Sequence, residues 1–346
     1  MTEAAELANE TVTLSEAKSL IKAMAHEQSL LLLSAPGVGK SDTVVQSATE
    51  AKLECRSLLG TQIAPEDVSG VPRIVRERTV FCPPRVLLPE KPKAFCLFLD
   101  ELPAAAPDIQ KAFYSLLLER RIGEHELPKG SWVVAAGNRA EDRALVRTIS
   151  SALVNRVTIL NVRVDVKEWL IWAKSANIRA DIISFITLMP YALMRDVPRE
   201  PVPFSTPRSW AALSRALDLA EGNGSYSRNE RRALAFGTVS AQDAAIYSAL
   251  AEERLADLKP ATYYFENPDQ LPTTDTARWF ILNQIRSLAK SDNLEDIDAA
   301  QINNFLNALP DEFRFALLVD LIEVWGRLGA DPSMFEALKQ VTGLDQ

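Results

Sequence analysis

One stretch constrains this chain more than any other: Leu30-Leu31-Leu32-Leu33-Ser34-Ala35-Pro36-Gly37-Val38-Gly39-Lys40-Ser41. A leucine run closed by a Pro-Gly turn reads as a short strand buried on both faces. Past Lys40 the pattern predicts a helix to about Ala51. A glycine-rich turn between such a strand and a helix start is the context in which a Walker A loop works. Backbone N–H groups at a helix N-terminus form an anion nest, and glycines let the chain close on phosphate oxygens. Pro36, Gly37, Val38, Gly39, Lys40, Ser41 and Asp42 are therefore the candidate phosphate-binding residues. In that arrangement Lys40 reaches the β and γ phosphates and the Ser41 hydroxyl ligates Mg²⁺. Ser34 replaces the motif's first glycine, at a strand-to-loop turn where a small residue with ordinary dihedrals can substitute.

A second motif supplies carboxylates. Phe95-Cys96-Leu97-Phe98-Leu99-Asp100-Glu101 is an apolar strand ending in two acids. Phosphoryl transfer needs a metal-holding acid and a base that polarises the attacking water. Asp100 is the candidate metal residue, acting with Ser41, and Glu101 the candidate general base. Ala135-Ala136-Gly137-Asn138 ends a further apolar strand, Trp132 to Ala136, and the Asn138 amide can orient water or touch the γ-phosphate. Val157 to Val162 reads as a fourth buried strand. Helices are expected at Thr13 to His26, opened by a Thr13-x-x-Glu16 capping box, at Pro107 to Arg121 and at Asp165 to Ser175. Strands alternating with helices predict a three-layer α/β/α core with a parallel sheet. From Pro207 helical periodicity takes over, broken at Gly222–Ser225 and Tyr263–Thr274. The expected division is an ATPase core at 1–204 with a Pro-rich hairpin insert around 60–92, then a helical lid and C-terminal helical region at 205–346.

Composition narrows the function classes. With 47% hydrophobic and 24% charged residues, the 346-residue chain can build packed cores. A net charge of −8 argues against a protein whose main affinity comes from neutralising nucleic-acid phosphates. Cys55, Cys82 and Cys96 lack C-x-x-C spacing and read as reduced thiols. Met1 to Glu10 lacks the pattern of a signal peptide, and no apolar run approaches a membrane span, so a cytoplasmic protein with no membrane partner is expected.

As a set, Ser34–Ser41, Phe95–Glu101, Ala135–Asn138, Ser151-Ala152-Leu153-Val154-Asn155-Arg156 and Ser205-Thr206-Pro207-Arg208-Ser209-Trp210 resemble the MoxR branch of the AAA+ ATPases. Order and rough spacing match Walker A, Walker B, sensor 1, the arginine-finger region and sensor 2. Leu117 to Gly123 and Leu127-Pro128 also resemble the hairpin that this branch carries before sensor 1. The resemblance covers about Thr13 to Ala220. It implies ATP and Mg²⁺ as cofactors, Asn138 as sensor 1, Arg156 as a finger in the neighbouring subunit's site and Arg208 as sensor 2. It also implies a homo-oligomeric, hexameric ring that remodels or matures a protein partner, of which a von Willebrand factor A-domain protein is one type. Arg143 and Arg147 compete with Arg156 for the finger role.

Other features carry less. Arg73, Arg76, Arg78 and Arg85 in the insert read equally as substrate contacts or as a solvated hairpin. His26 and His125 lack companions for a metal site, and Glu168 to Trp172 reads as helix core. A small-molecule kinase would leave the long helical C-terminus unexplained. A nucleotide-dependent scaffold with slow turnover shares every motif and differs only in rate. No Asn/Thr-Lys-x-Asp segment is present to read guanine. ATP should therefore outcompete GTP in a binding competition, and EDTA should abolish turnover; a clear GTP preference would overturn the ATPase reading.

Overall fold

In the computed structural model the leucine run is a strand whose four residues are all buried. The structure describes residues 10–82, 84, 85, 87, 88, 93–122, 124–139, 151–222, 224, 227–252, 258–290, 294 and 297–333. Arg143 and Arg147 lie outside the described residues, as do Pro83, Pro89, Gly123, Asn223, Ser225 and the segment before Glu10.

Strands are numbered in chain order: β1 (Thr11–Val12), β2 (Leu30–Leu33), β3 (Glu54–Leu59), β4 (Val71–Val75), β5 (Arg78–Cys82), β6 (Phe95–Asp100), β7 (Arg121–Ile122), β8 (His125–Glu126), β9 (Trp132–Gly137) and β10 (Thr158–Val162). Six of them form one sheet in the order β1-β10-β2-β9-β6-β3, and each pairing within it is parallel. Alternation along the strands sorts side chains onto two faces. Leu31, Leu33, Leu97, Leu99, Val133 and Ala135 join one apolar cluster with Ile109, Phe113, Leu116 and Leu117. Leu30, Leu32, Cys96, Phe98, Val134 and Ala136 join another with Ala17, Ile21, Val44 and Ala48. The covering helices are α1 (Leu14–Met24) and α2 (Lys40–Glu50) on the second face, and α4 (Pro107–Ala112) and α5 (Tyr114–Glu119) on the first. The fold is thus a three-layer α/β/α core around a parallel sheet, with a helical C-terminal region.

Local chemistry explains the element ends. Thr13 Oγ1 accepts from Glu16 N–H, and the Glu16 carboxylate accepts from Thr13 N–H, which completes the capping box of α1. Asp165 caps α7 (Val166–Ser175) by accepting from Glu168 N–H; that bond to the charged form lowers the Asp165 pKa. The helix expected at Pro107–Arg121 is broken at Phe113 and ends where Arg120 turns left-handed, at φ 56°. In the insert, α3 (Glu66–Ser69) precedes an antiparallel hairpin of β4 and β5. Its tip, Arg76 and Glu77, has φ of 48° and 63°, the mirror-image turn whose twist matches a two-residue hairpin. β3 went unread in the sequence because Glu54, Cys55, Arg56 and Ser57 form no apolar run, as befits the strand at the end of the sheet. Trp169 is buried, but Trp172 is 40% exposed, so the Glu168–Trp172 segment is core on one side only. The three cysteines are free thiols.

Packing divides the chain into two compact units, Met1–Ile178 with Leu193–Asp243, and Arg179–Ala192 with Ala244–Gln346. Besides the sheet, the first holds α6 (Ser151–Val154), α9 (Pro207–Gly222) and α10 (Arg228–Phe236). In the second, α8 (Ala180–Leu188) meets α11 (Ala241–Glu252) where Tyr247 Oη donates to Asp181 Oδ2 at 3.0 Å and the Tyr247 ring meets Phe185 edge-on at 5.7 Å. Its core of Tyr264, Phe265, Ile281, Phe305, Phe313 and Trp325 is supplied by α12 (Ala261–Glu266), α13 (Asp275–Lys290), α14 (Ala299–Ala308), α15 (Asp311–Asp320) and α16 (Ile322–Arg327). The Trp325 indole is satisfied by donating to Leu317 O at 3.0 Å. No described helix is long and apolar enough to cross a membrane.

The sheet is tightest where β9 ends. A Cβ added to Gly137 would lie 2.2 Å from Pro103 Cδ, inside van der Waals contact. Gly137→Ala should therefore cost about 1–3 kcal/mol as overpacking, read as a lower urea midpoint at unchanged slope. An unchanged midpoint would show that this end of the sheet has slack.

Candidate functional site

Because β2, β9 and β6 run parallel, their carboxyl ends share one edge of the sheet, and the sequence motifs sit at those ends. Leu33 pairs with Gly137, and Leu99 with Ala135. The strand ending in Asn138 therefore lies between the strand that leads into Lys40 and the strand that ends in Asp100. Open parallel sheets bind ligands beyond the carboxyl ends of their strands.

The glycine-rich loop turns through Gly37 at φ 79° and Gly39 at φ 114°, left-handed values that disfavour a Cβ. Gly39 is the N-cap of α2, and no side chain caps that helix start. An anion there would accept from the first N–H groups of α2 and meet the positive end of the helix dipole. Lys40 is buried at 7% exposure. Its ammonium donates to Ser34 O at 3.2 Å, Ser34 Oγ at 2.8 Å, Ala35 O at 3.1 Å and Asn138 Oδ1 at 3.3 Å. Ser34, the departure from the glycine pattern, is thus a partner of the lysine through its hydroxyl. Val38 is buried and Pro36 partly so. The Asp42 side chain is exposed, so its backbone N–H, in the first turn of α2, is the part suited to the nest.

Ser41 Oγ donates to Asp100 Oδ2 at 2.7 Å. A hydroxyl and a carboxylate are hard oxygen donors of the kind Mg²⁺ takes, directly or through a water it retains, so the chemistry of this pair fits that ion. Glu101 has φ 54° and ψ 29°, a left-handed conformation that costs a non-glycine residue energy. Its Oε2 accepts from Thr61 Oγ1 at 2.8 Å, and its N–H donates to Asp100 Oδ1 at 3.0 Å. Thr61 is the residue that sequence reasoning missed. It follows β3, the strand that also went unread, and only the pairing of β3 with β6 brings it to Glu101.

Arg208 and Arg156 differ in placement. Arg208 N–H donates to Gly37 O at 3.1 Å, which joins the first turn of α9 to the phosphate loop, and the side chain is exposed. Arg156 precedes β10, whose Thr158 pairs with Leu30 at the opposite edge of the sheet. Along the strand that edge is about 13 Å from the loop, at about 3.3 Å per residue. The Arg156 guanidinium lies 4.9 Å from the centroid of the Tyr114 ring. The structure therefore gathers Lys40, Ser41, Asp100, Glu101 and Asn138, ties Arg208 to them by its backbone, and keeps Arg156 apart.

No protein-family model matches the chain, and no curated protein matches it. Among solved structures, the Holliday junction branch migration motor RuvB of Thermotoga maritima is similar at 15% identity and a TM-score of 0.37, covering 81% of this chain and 80% of that one. A candidate ATPase of Cytophaga hutchinsonii shares 15% identity at a TM-score of 0.35, over 89% of this chain and 80% of its own. NtrX of Brucella abortus shares 13% identity at a TM-score of 0.38, over 91% of this chain and 68% of that one. Likenesses this distant do not fix an activity.

Gly37 carries the sharpest expectation of the site. A Cβ there would lie 2.6 Å from Thr206 Oγ1 in left-handed backbone. Gly37→Ala should open the loop and weaken Mg-ATP about tenfold or more, since left-handed strain alone is worth about 1–2 kcal/mol. Calorimetric titration reads this directly, and an affinity equal to the parent's would refute the close fit.

Proposed function

We propose that this chain is a Mg²⁺-dependent ATPase of the AAA+ type that works as a ring, with each site completed by the neighbouring subunit. The observation that carries this reading is the convergence of Lys40, the Ser41–Asp100 pair, Glu101 and Asn138 on one edge of a parallel sheet. In the proposed site the backbone N–H groups of Gly37 to Asp42 cradle the phosphates, and Lys40 turns its ammonium from neutral oxygens to the β and γ oxygens. A Mg²⁺ held by Ser41 and, through water, Asp100 would supply charge neutralisation on those same oxygens. Glu101 takes a proton from a water aligned with the γ-phosphorus. The oxygen of that water bonds to phosphorus as the bond to the β-phosphate oxygen breaks, giving ADP and inorganic phosphate. Asn138 orients that water or the γ-phosphate. Thr61 holds the Glu101 carboxylate in its bent backbone until the nucleotide is in place.

Arg156 completes the site in trans. Its position across the sheet from its own loop supports service to a neighbour, where a rigid guanidinium neutralises charge developing on the transferred group. Arg208, in the first turn of α9, serves the γ-phosphate as sensor 2. The motif set further supports the MoxR-like assignment: a hexamer in the cytoplasm whose hydrolysis remodels or matures a protein partner, such as one with a von Willebrand factor A domain.

Glu101→Gln should keep ATP affinity while hydrolysis falls about 10²–10⁴-fold, and Lys40→Ala should lose binding. Parent-like turnover by Glu101→Gln would remove it as the base. Arg156→Ala should bind nucleotide yet hydrolyse about 10³-fold more slowly or worse. Mixing the Glu101→Gln and Arg156→Ala forms, each inactive alone, should restore activity, because some interfaces then pair an intact Glu101 with an intact Arg156. Flat activity at every ratio, with mixed rings confirmed by native mass spectrometry, would sink the trans-acting site.

A further inference from the structure

Outside the site, a buried polar cluster of the first unit surrounds Asp243. Its side chain is fully buried. Oδ2 accepts from Ser205 Oγ at 2.6 Å, Ser240 Oγ at 2.7 Å and Arg195 Nε at 3.0 Å, and Oδ1 accepts from Arg195 Nη2. Ser240 N–H donates to Ser205 Oγ at 3.2 Å, and Arg195 N–H to Ser205 O at 2.9 Å. A buried carboxylate is tolerable only when its lone pairs are filled and its charge is paired, so such a cluster has one arrangement rather than several. Ser205 touches each other member of it: its hydroxyl meets Asp243 and Ser240, and its carbonyl meets Arg195.

The next residue touches the phosphate loop. Thr206 is buried, and its Oγ1 stands where a Cβ on Gly37 would come within 2.6 Å. Thr206 Oγ1 accepts from Ser209 N–H at 3.0 Å, and Ser209 Oγ accepts from Thr206 N–H at 2.7 Å, which closes the first turn of α9 on itself. From that turn Arg208 N–H reaches Gly37 O at 3.1 Å.

We infer that Asp243 and Ser205 are positioning residues of the nucleotide site: the buried cluster holds Ser205, and through it sets the Thr206–Arg208 corner against Gly37. This rests on the phosphate-loop reading above. The lever is short, because one peptide unit separates the residue that Asp243 holds from the residue that lies on Gly37. Displacing the corner shifts both the Gly37 carbonyl bond and the start of the helix that carries Arg208. Asp243 meets no phosphate itself and acts only through this corner.

The test compares Mg-ATP affinity by calorimetry, well below each variant's unfolding midpoint, for the parent, Ser205→Ala, Asp243→Asn, Lys40→Ala and Tyr247→Phe. Tyr247→Phe removes a hydrogen bond to Asp181 in the other unit and serves as a control for plain destabilisation. Ser205→Ala and Asp243→Asn should weaken ATP about 10- to 100-fold, the scale expected when one or two hydrogen bonds to a charged ligand are lost. Tyr247→Phe should lower the midpoint and leave affinity unchanged. Ser205→Thr, which keeps the hydroxyl, should recover part of the loss. If Asp243→Asn does not fold, Ser205→Ala decides alone. Folded Ser205→Ala that binds ATP as tightly as the parent, while Lys40→Ala does not bind, overturns the inference and spares the phosphate-loop reading. A parent that binds no better than Lys40→Ala overturns that reading, and the inference falls with it.

Discussion

The parallel register of β2, β9 and β6 is the constraint on which the rest of this molecule depends. Parallel neighbours bring like ends together, so residues nearly a hundred positions apart, such as Lys40 and Asn138, meet within hydrogen-bonding distance. Both faces of the sheet are buried, by α1 and α2 on one side and α4 and α5 on the other. β2 is leucine on both faces, so a slip of one residue would keep apolar groups buried but would move Asn138 away from Lys40.

Electrostatics follow from that placement. The loop buries a lysine and lines it with oxygens of Ser34, Ala35 and Asn138. In this low-dielectric setting a phosphate gains more from the ammonium and the helix N-terminus than it would in water. Beside it, the Ser41 hydroxyl donates to the Asp100 carboxylate, which brings two oxygen donors to the mouth of the loop. Glu101 is held in strained backbone by its neighbours, a cost that a packed fold sustains at few positions. Thr61 and Asp243 extend the pattern outward, one fixing a carboxylate at the site and the other fixing the chain that rests on the loop.

Much of this was legible in the residues themselves. The leucine run, the Gly37 and Gly39 turn, the acidic end at Asp100–Glu101 and the Gly137-Asn138 end are local signals, each with its own period and punctuation. They predicted the parallel three-layer core, and β2, β6, β9 and β10 lie within a residue or two of their expected bounds. The capping box at Thr13 is present in full. The misses have a common cause. β3 is the strand at the sheet's end, with polar residues and no apolar run, and the break at Phe113 has no proline or glycine to announce it.

What the sequence by itself determined is therefore the set of parts: a glycine-rich loop between a strand and a helix, two carboxylates at a strand end, an amide at another and a helical C-terminal region. Local backbone preferences and side-chain periodicity suffice for these, because each is specified by neighbours along the chain. Only the tertiary structure decided which parts meet. The strand order that seats Asn138 between Lys40 and Asp100, the contact of Thr61 with Glu101, the grip of Asp243 on Ser205 and the separation of Arg156 from its own loop all depend on pairings across the chain. The packing of Asp181 with Tyr247, which joins 179–192 to the C-terminal helices, is of the same kind. Such pairings are selected by burying the whole apolar surface at once, a sum over the folded chain that no local window contains.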